Sequence, residues 1–181
     1  MSLTMRTITH LSHIILFALL LISCTTTTVV QPTPTVVTSP TATPTNDISP
    51  DVAADIAANY TRWKNANIQH YRFQLMVGCF CPMSSIMPIT VEVHDGQVTS
   101  MTDVNGTLIS PKDPSADFFA QYTTITRIYD ELTSSRFRDA DKIAISYDPT
   151  YGFPSEISVD FIKLAVDDEL YLNVSTFTLL Q

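Results

Sequence analysis

Between Thr25 and Ser49 the chain reads TTTTVVQPTPTVVTSPTATPTNDIS, and this stretch confines whatever fold the protein has. Pro32, Pro34, Pro40 and Pro44 interrupt any helical or strand period, because each fixes φ and removes a backbone donor. From Thr25 the first charge is Asp47. Thr and Pro in this proportion favour extended, polyproline-like conformers, a semi-rigid spacer of up to ~75 Å at about 3.1 Å per residue. A packed core must be built from the residues beyond Ser49, about 130 of them, the size of one ordinary domain.

Ahead of the spacer stands MSLTMRTITHLSHIILFALLLISC. It has a weakly basic start at Arg6 and an apolar run from Ile14 to Ile22. That run is shorter than the ~20 residues a membrane span needs and fits the apolar part of a signal peptide. Leu21-Ile22-Ser23-Cys24 resembles a bacterial lipobox: a Leu, a tolerant position, a small residue, then Cys. The resemblance implies a diacylglyceryl group on the Cys24 thiol and cleavage before it. An ordinary secretory leader, or an N-terminal anchor that happens to end in Cys, is the competing reading. The expected organisation is a signal peptide over 1–23, a lipidated Cys and disordered stalk over 24–49, and one domain over 50–181. The expected location is the cell membrane, lipid-anchored and facing the extracytoplasmic side.

The formal net charge is −8, and loss of the leader, which carries Arg6 and no acid, makes the remainder one unit more negative. Lys and Arg are scattered singly from Arg62 to Lys163, so the clustered basic patch that phosphate backbones require is missing and a nucleic-acid partner is not expected. Hydrophobic residues at 45% and charged ones at 15% are globular values.

Ser49-Pro50-Asp51 is a helix start: a capping hydroxyl, Pro at the first position and an acid at the positive end of the dipole. Val52, Ile56, Tyr60 and Trp63 come next at helical spacing, to about Ala66. Tyr71, Phe73, Leu75 and Val77 alternate as a strand with that set inward, and Ile89, Val91 and Val93 do the same. Asp95-Gly96 marks a two-residue hairpin that pairs His94 with Gln97 and Val93 with Val98. Phe118, Tyr122, Ile125, Tyr129 and Leu132 make one apolar stripe, which predicts a single second helix. Ile143, Ile145 and Tyr147 then predict a strand, with Ile157, Val159 and Phe161 its hairpin partner, and a last strand covers about Leu170 to Phe177. The expectation is an α+β domain, an antiparallel sheet of about six strands with two helices on one face, in the order α-βββ-α-βββ. It looks like a doubled unit. The opposite face would show Arg72, Gln74, Thr90, Glu92, His94, Ser146, Ser158, Asp160 and Asn173 to solvent.

Cys79-Phe80-Cys81-Pro82 is the sharpest local feature. In an exported chain a pair this close is expected to oxidise. Two residues apart on a straight strand the Cα atoms lie about 6.6 Å apart, near the upper limit for a disulfide, so bonding needs a bend that Gly78 and Pro82 are placed to supply. A strand-ending disulfide clip is the leading reading. A redox-active pair lacks a thioredoxin-like C-x-x-C, a metal site would need further ligands such as His70 or His94, and two free thiols complete the alternatives. His70 and His94 are expected at the surface with no nucleophile motif beside them, so no catalytic residues are assigned and no cofactor is called for. Asp167-Asp168-Glu169 does not follow a calcium-loop spacing and reads as an exposed connection. Tyr147, Tyr151 and Phe153, around Gly152, are either an aromatic ligand platform or a hairpin loop folded back on its own core.

Several strings together resemble a known family. They are Trp63 with Asn67-Ile68, Tyr71-x-Phe73, Cys79-x-Cys81-Pro82, Val91-x-Val93-x-Asp95-Gly96-x-Val98, Ile125-x-x-Ile128-Tyr129, Tyr147-Asp148-Pro149-Thr150-Tyr151-Gly152-Phe153-Pro154 and Asp167-Asp168-Glu169. From about Asn59 to Phe177 the chain is similar to an uncharacterised bacterial exported-lipoprotein domain, a domain of unknown function. The resemblance implies a lipidated or secreted location and a compact α+β fold, and transfers no activity. The function expected from all this is a non-enzymatic envelope lipoprotein that binds an envelope protein or a cell-wall component, with Arg72, Glu92, His94, Tyr151 and Phe153 as candidate binding residues. The alternative is a thiol–disulfide or metal-binding protein acting through Cys79 and Cys81.

Overall fold

The computed structural model describes residues 49–181, so the expected leader, Cys24 and the stalk lie outside the described residues. Helix α1 (Pro50–Ala66) starts where its cap predicts, with the Ser49 hydroxyl accepting from the Val52 amide, and ends on Asn67 in the left-handed region. Three strands come after it, β1 (Tyr71–Gly78), β2 (Ile89–His94) and β3 (Gln97–Thr102), with Asp95 and Gly96 both at positive φ in the β2–β3 turn. Strands β4 (Lys142–Tyr147), β5 (Pro154–Asp160) and β6 (Leu170–Leu179) complete one antiparallel, six-stranded open sheet. The domain is α+β, as the alternation predicts.

The segment between the two sets of strands departs from expectation. The predicted second helix is three helical pieces, α2 (Pro114–Phe119), a 3₁₀ turn over Ala120–Tyr122 and α3 (Ile125–Leu132), followed by the short α4 (Ser135–Arg138). The apolar stripe survives because the break at Thr123-Thr124 keeps the helical phase, but Phe119 is the fully buried residue where Phe118 is half-buried. Several helices, rather than two, therefore cover the sheet.

The order across the sheet is β3-β2-β1-β6-β5-β4. A duplicated α-βββ unit would run from centre to edge twice and set β4 beside β1. Here the second meander runs from edge to centre and β6 lies beside β1, so the doubled-unit reading does not describe the topology. Every strand turns one set of side chains to the helices. Phe73, Leu75, Val77, Ile89, Val91, Val93, Ile157 and Leu172 are buried there together with Trp63 of α1 and Ile125, Ile128, Tyr129 and Leu132 of α3. Trp63 meets Tyr71 edge-on at 5.5 Å and Phe177 at 6.1 Å.

Candidate functional site

Two surfaces hold the residues singled out by the sequence. The first is the sheet face turned away from the helices. Cross-strand register places Arg72 opposite Glu92 and Thr178, Met76 opposite Asn173, and Asn173 opposite Glu156. Opposed residues share a face, so this side carries Arg72, Glu92, Gln74, Thr90, Ser146, Glu156, Ser158 and Asn173, exposed or half-exposed. The Arg72 guanidinium lies 3.5 Å from the Glu92 carboxylate, an exposed pair that contributes about 0–1 kcal/mol and chiefly fixes both side chains. The Tyr171 hydroxyl donates to the Glu156 carboxylate at 2.7 Å, and this bond, together with the nearby negative charge, raises the phenol pKa. His94 sits at the turn end of this face, its ring 5.4 Å from that of His70. The Asp95 amide donates to His70 Nδ1 at 3.4 Å, which ties both histidines to the β2–β3 turn.

Tyr151 and Phe153 do not join them. They lie on the helical side, where Phe153 is 4% exposed and stacks on Phe177 at 4.5 Å, and half-buried Tyr151 is 5.9 Å from the same ring. Asp148 builds this loop, its carboxylate accepting from the Thr150 and Tyr151 amides at 3.0 and 2.6 Å. Fold-back on the core is thus the arrangement present, and the five candidate residues form no single cluster.

The second surface is the end of the sheet where β1 stops. The sulfurs of Cys79 and Cys81 are 1.98 Å apart, at disulfide distance, with Cα atoms 5.2 Å apart. The needed bend is made by the Cys81 amide donating to the Cys79 carbonyl at 2.8 Å. Because Gly78 pairs with Tyr171 across the centre of the sheet, the β5–β6 connection arrives beside this clip. Residues as distant in sequence as Phe80 and Asp167-Asp168-Glu169 consequently line one groove of about 540 Å³, with Arg136, Phe161 and Ile162. Asp168 closes the connection by accepting from the Ile162 amide at 2.6 Å. Sequence reasoning took the cysteines and the acids separately and passed over Phe80, Ile162, Leu164 and Val166. The signal was present in Phe161-Ile162-Lys163-Leu164-Ala165-Val166, an apolar-rich run between two strands with no alternating partner. Among the described residues no group of three or more His, Cys, Asp or Glu side chains is arranged to hold a metal ion.

Residues 55–179 match the profile of a family described as a family of unknown function (DUF6174), a slightly wider span than the strings that carry the resemblance. No curated protein and no solved structure matches the chain.

Proposed function

The chain belongs to the DUF6174 family of unknown function, and from that premise we propose that it is a bacterial envelope lipoprotein, anchored through Cys24, whose domain is a non-enzymatic binding module. The lipobox-like Leu21-Ile22-Ser23-Cys24 and the Thr/Pro tract support the tether. One observation carries the binding role: a six-stranded sheet with one face packed under helices and the other left polar and open around the Arg72–Glu92 pair. Antiparallel sheets tolerate a solvated face, so openness alone is ordinary. What favours recognition is that this face offers donors and acceptors from five adjacent strands, spaced by the strand register. Its partner on this reading is another envelope protein or a cell-wall component.

The test uses membranes bearing the full chain. Cys24→Ser should abolish incorporation of labelled fatty acid and leave the leader uncleaved. A photocrosslinker at Ser146 or Ser175 should trap one defined partner, while one at Ala54 of α1 should not. The double swap Arg72→Glu/Glu92→Arg keeps the ion pair but inverts the charge pattern, and should lower the yield. Equal yields at all three positions, or no effect of the swap, would sink the sheet-face reading.

A second reading, thiol–disulfide exchange through Cys79 and Cys81, is favoured by the disulfide-distance pair lying at an exposed loop. A reduction potential measured on the purified protein separates the two. A value below about −300 mV marks a structural clip, and one near those of catalytic dithiols supports exchange.

A further inference from the structure

We propose that the sheet end formed by the Cys79–Phe80–Cys81 turn and the β5–β6 connection is a docking surface for a basic, apolar segment of a partner polypeptide. Phe80 is 85% exposed, and it is the single residue between two cysteines at disulfide distance. Its backbone has few alternatives to lose, so the aromatic ring is presented to a partner at low entropic cost. Ile162, Leu164 and Val166 on the neighbouring connection are 62%, 94% and 85% exposed. With Phe80 they are four of the eight exposed large apolar side chains among the described residues, which concentrates that surface on two adjacent loops.

The connection is also held in an unfavourable shape. Leu164 and Asp167 have φ of 64° and 69°, the left-handed region, which costs a residue with a Cβ roughly 1–2 kcal/mol. Leu164 makes almost no contact within the domain to offset this.

Charge identifies the occupant. Asp139, Asp167, Asp168 and Glu169 line the groove between Phe80 and Phe161, against the single cation Arg136. The Arg136 guanidinium already lies 4.2 Å over the Phe161 ring. Exposed apolar side chains on loops beside four carboxylates and one guanidinium complement a segment that alternates apolar residues with Lys or Arg. A lipid surface fits less well, since anionic headgroups repel these carboxylates and burying them in a bilayer interface is costly.

The experiment uses the full chain in detergent and a labelled twelve-residue probe of alternating Leu and Lys, with a Leu/Glu peptide of equal length for comparison. The basic probe should bind about tenfold or more tightly than the acidic one, and weaken as salt rises. Phe80→Ser and the pair Asp167→Asn/Glu169→Gln should each reduce its affinity about tenfold, as loss of a central anchor does. Asp95→Asn/Asp117→Asn removes the same charge elsewhere and should leave affinity unchanged. All variants alter exposed positions, and coincident thermal melts will show that each is folded. Equal binding of both peptides, no effect of Phe80→Ser, or an equal loss in the charge-matched control overturns the proposal. So does Phe80-dependent binding to phosphatidylcholine or phosphatidylglycerol vesicles with none to the peptide. The surface adjoins the polar sheet face at Ser158 and Tyr171, and Phe80→Ser should leave crosslinking from Ser175 unchanged, so failure of either proposal is distinguishable from failure of the other.

Discussion

Three tyrosines on the helical side put the same hydroxyl to different uses. Tyr71 accepts from the Ile125 amide at 3.2 Å, satisfying a donor at the start of α3 that the helix leaves free. Tyr129 donates to the Gly152 carbonyl, while the buried Tyr147 hydroxyl has no partner among the described residues. Burial pushes Tyr71 up to about 12, and burial followed by the charge of Asp55 takes Tyr147 to about 12. Tyr129 is also raised, first by burial. A folded-state pKa above the unfolded value near 10 gives stability that is complete below pH ~10 and lost as pH climbs towards ~12. In a pH series the unfolding midpoint should therefore fall steeply over that window, with tyrosinate absorbance from these rings appearing together with loss of structure. Tyrosinate forming near pH ~10 in a protein that stays folded would contradict the burial described. Gly152 shows how far single residues could be read. Its place in a turn was legible from the surrounding Asp, Pro and Thr. Its necessity was not: at φ +79° an added Cβ would stand 2.8 Å from the Asn59 carbonyl oxygen of α1, a contact that exists only once helix and hairpin are packed.

At the scale of elements, the Thr123-Thr124 break is the main departure from the sequence reading. A stripe at steps of four and three is produced equally by one helix and by two short ones in phase, so periodicity could not separate them. Side-chain chemistry decides it. The Thr124 hydroxyl accepts from the Arg127 amide at 3.1 Å as the cap of α3. Arg127 reaches back to the Ala120 carbonyl and the Thr123 hydroxyl, both at 2.9 Å, holding the preceding turn shut. Thr124→Ala should cost about 1 kcal/mol in chemical denaturation. Thr126→Ala, at an exposed position of the same helix, should change stability by less than about 0.5 kcal/mol. Similar losses at both positions would mean that α3 does not begin at Thr124. Strand β6 holds a second hidden feature. Its register slips opposite Arg72 and Gln74, and Thr176 takes φ 53°. The extra residue turns Phe177 to the same side as Val174, where it stacks with Phe153. Strict alternation would have sent it to the open face.

For the molecule as a whole, the strand order governs how stability is shared. The central pair β1–β6 joins residues about a hundred positions apart in the chain, as in Gln74 opposite Ser175, so neither meander completes its core alone. Native-state hydrogen exchange should find the slowest amides in β1 and β6, opening together at the global unfolding free energy, with the edge strands β3 and β4 faster. A β4–β5 hairpin as protected as the centre, or β1 and β6 exchanging at separate rates, would show that the halves are independent. The sequence by itself determined the positions of the six strands, the capped start of α1, the two hairpins and the side of the sheet that meets the helices. Those properties depend on side-chain period and local turn chemistry, which act over a few residues. Only the tertiary structure decided that β6 lies beside β1, that a bulge re-aims Phe177, and that Phe80 shares a groove with Asp167 and Glu169. Each of these depends on which strands become neighbours, and neighbours are chosen by the burial of the whole core at once, which a periodic pattern in one segment does not encode.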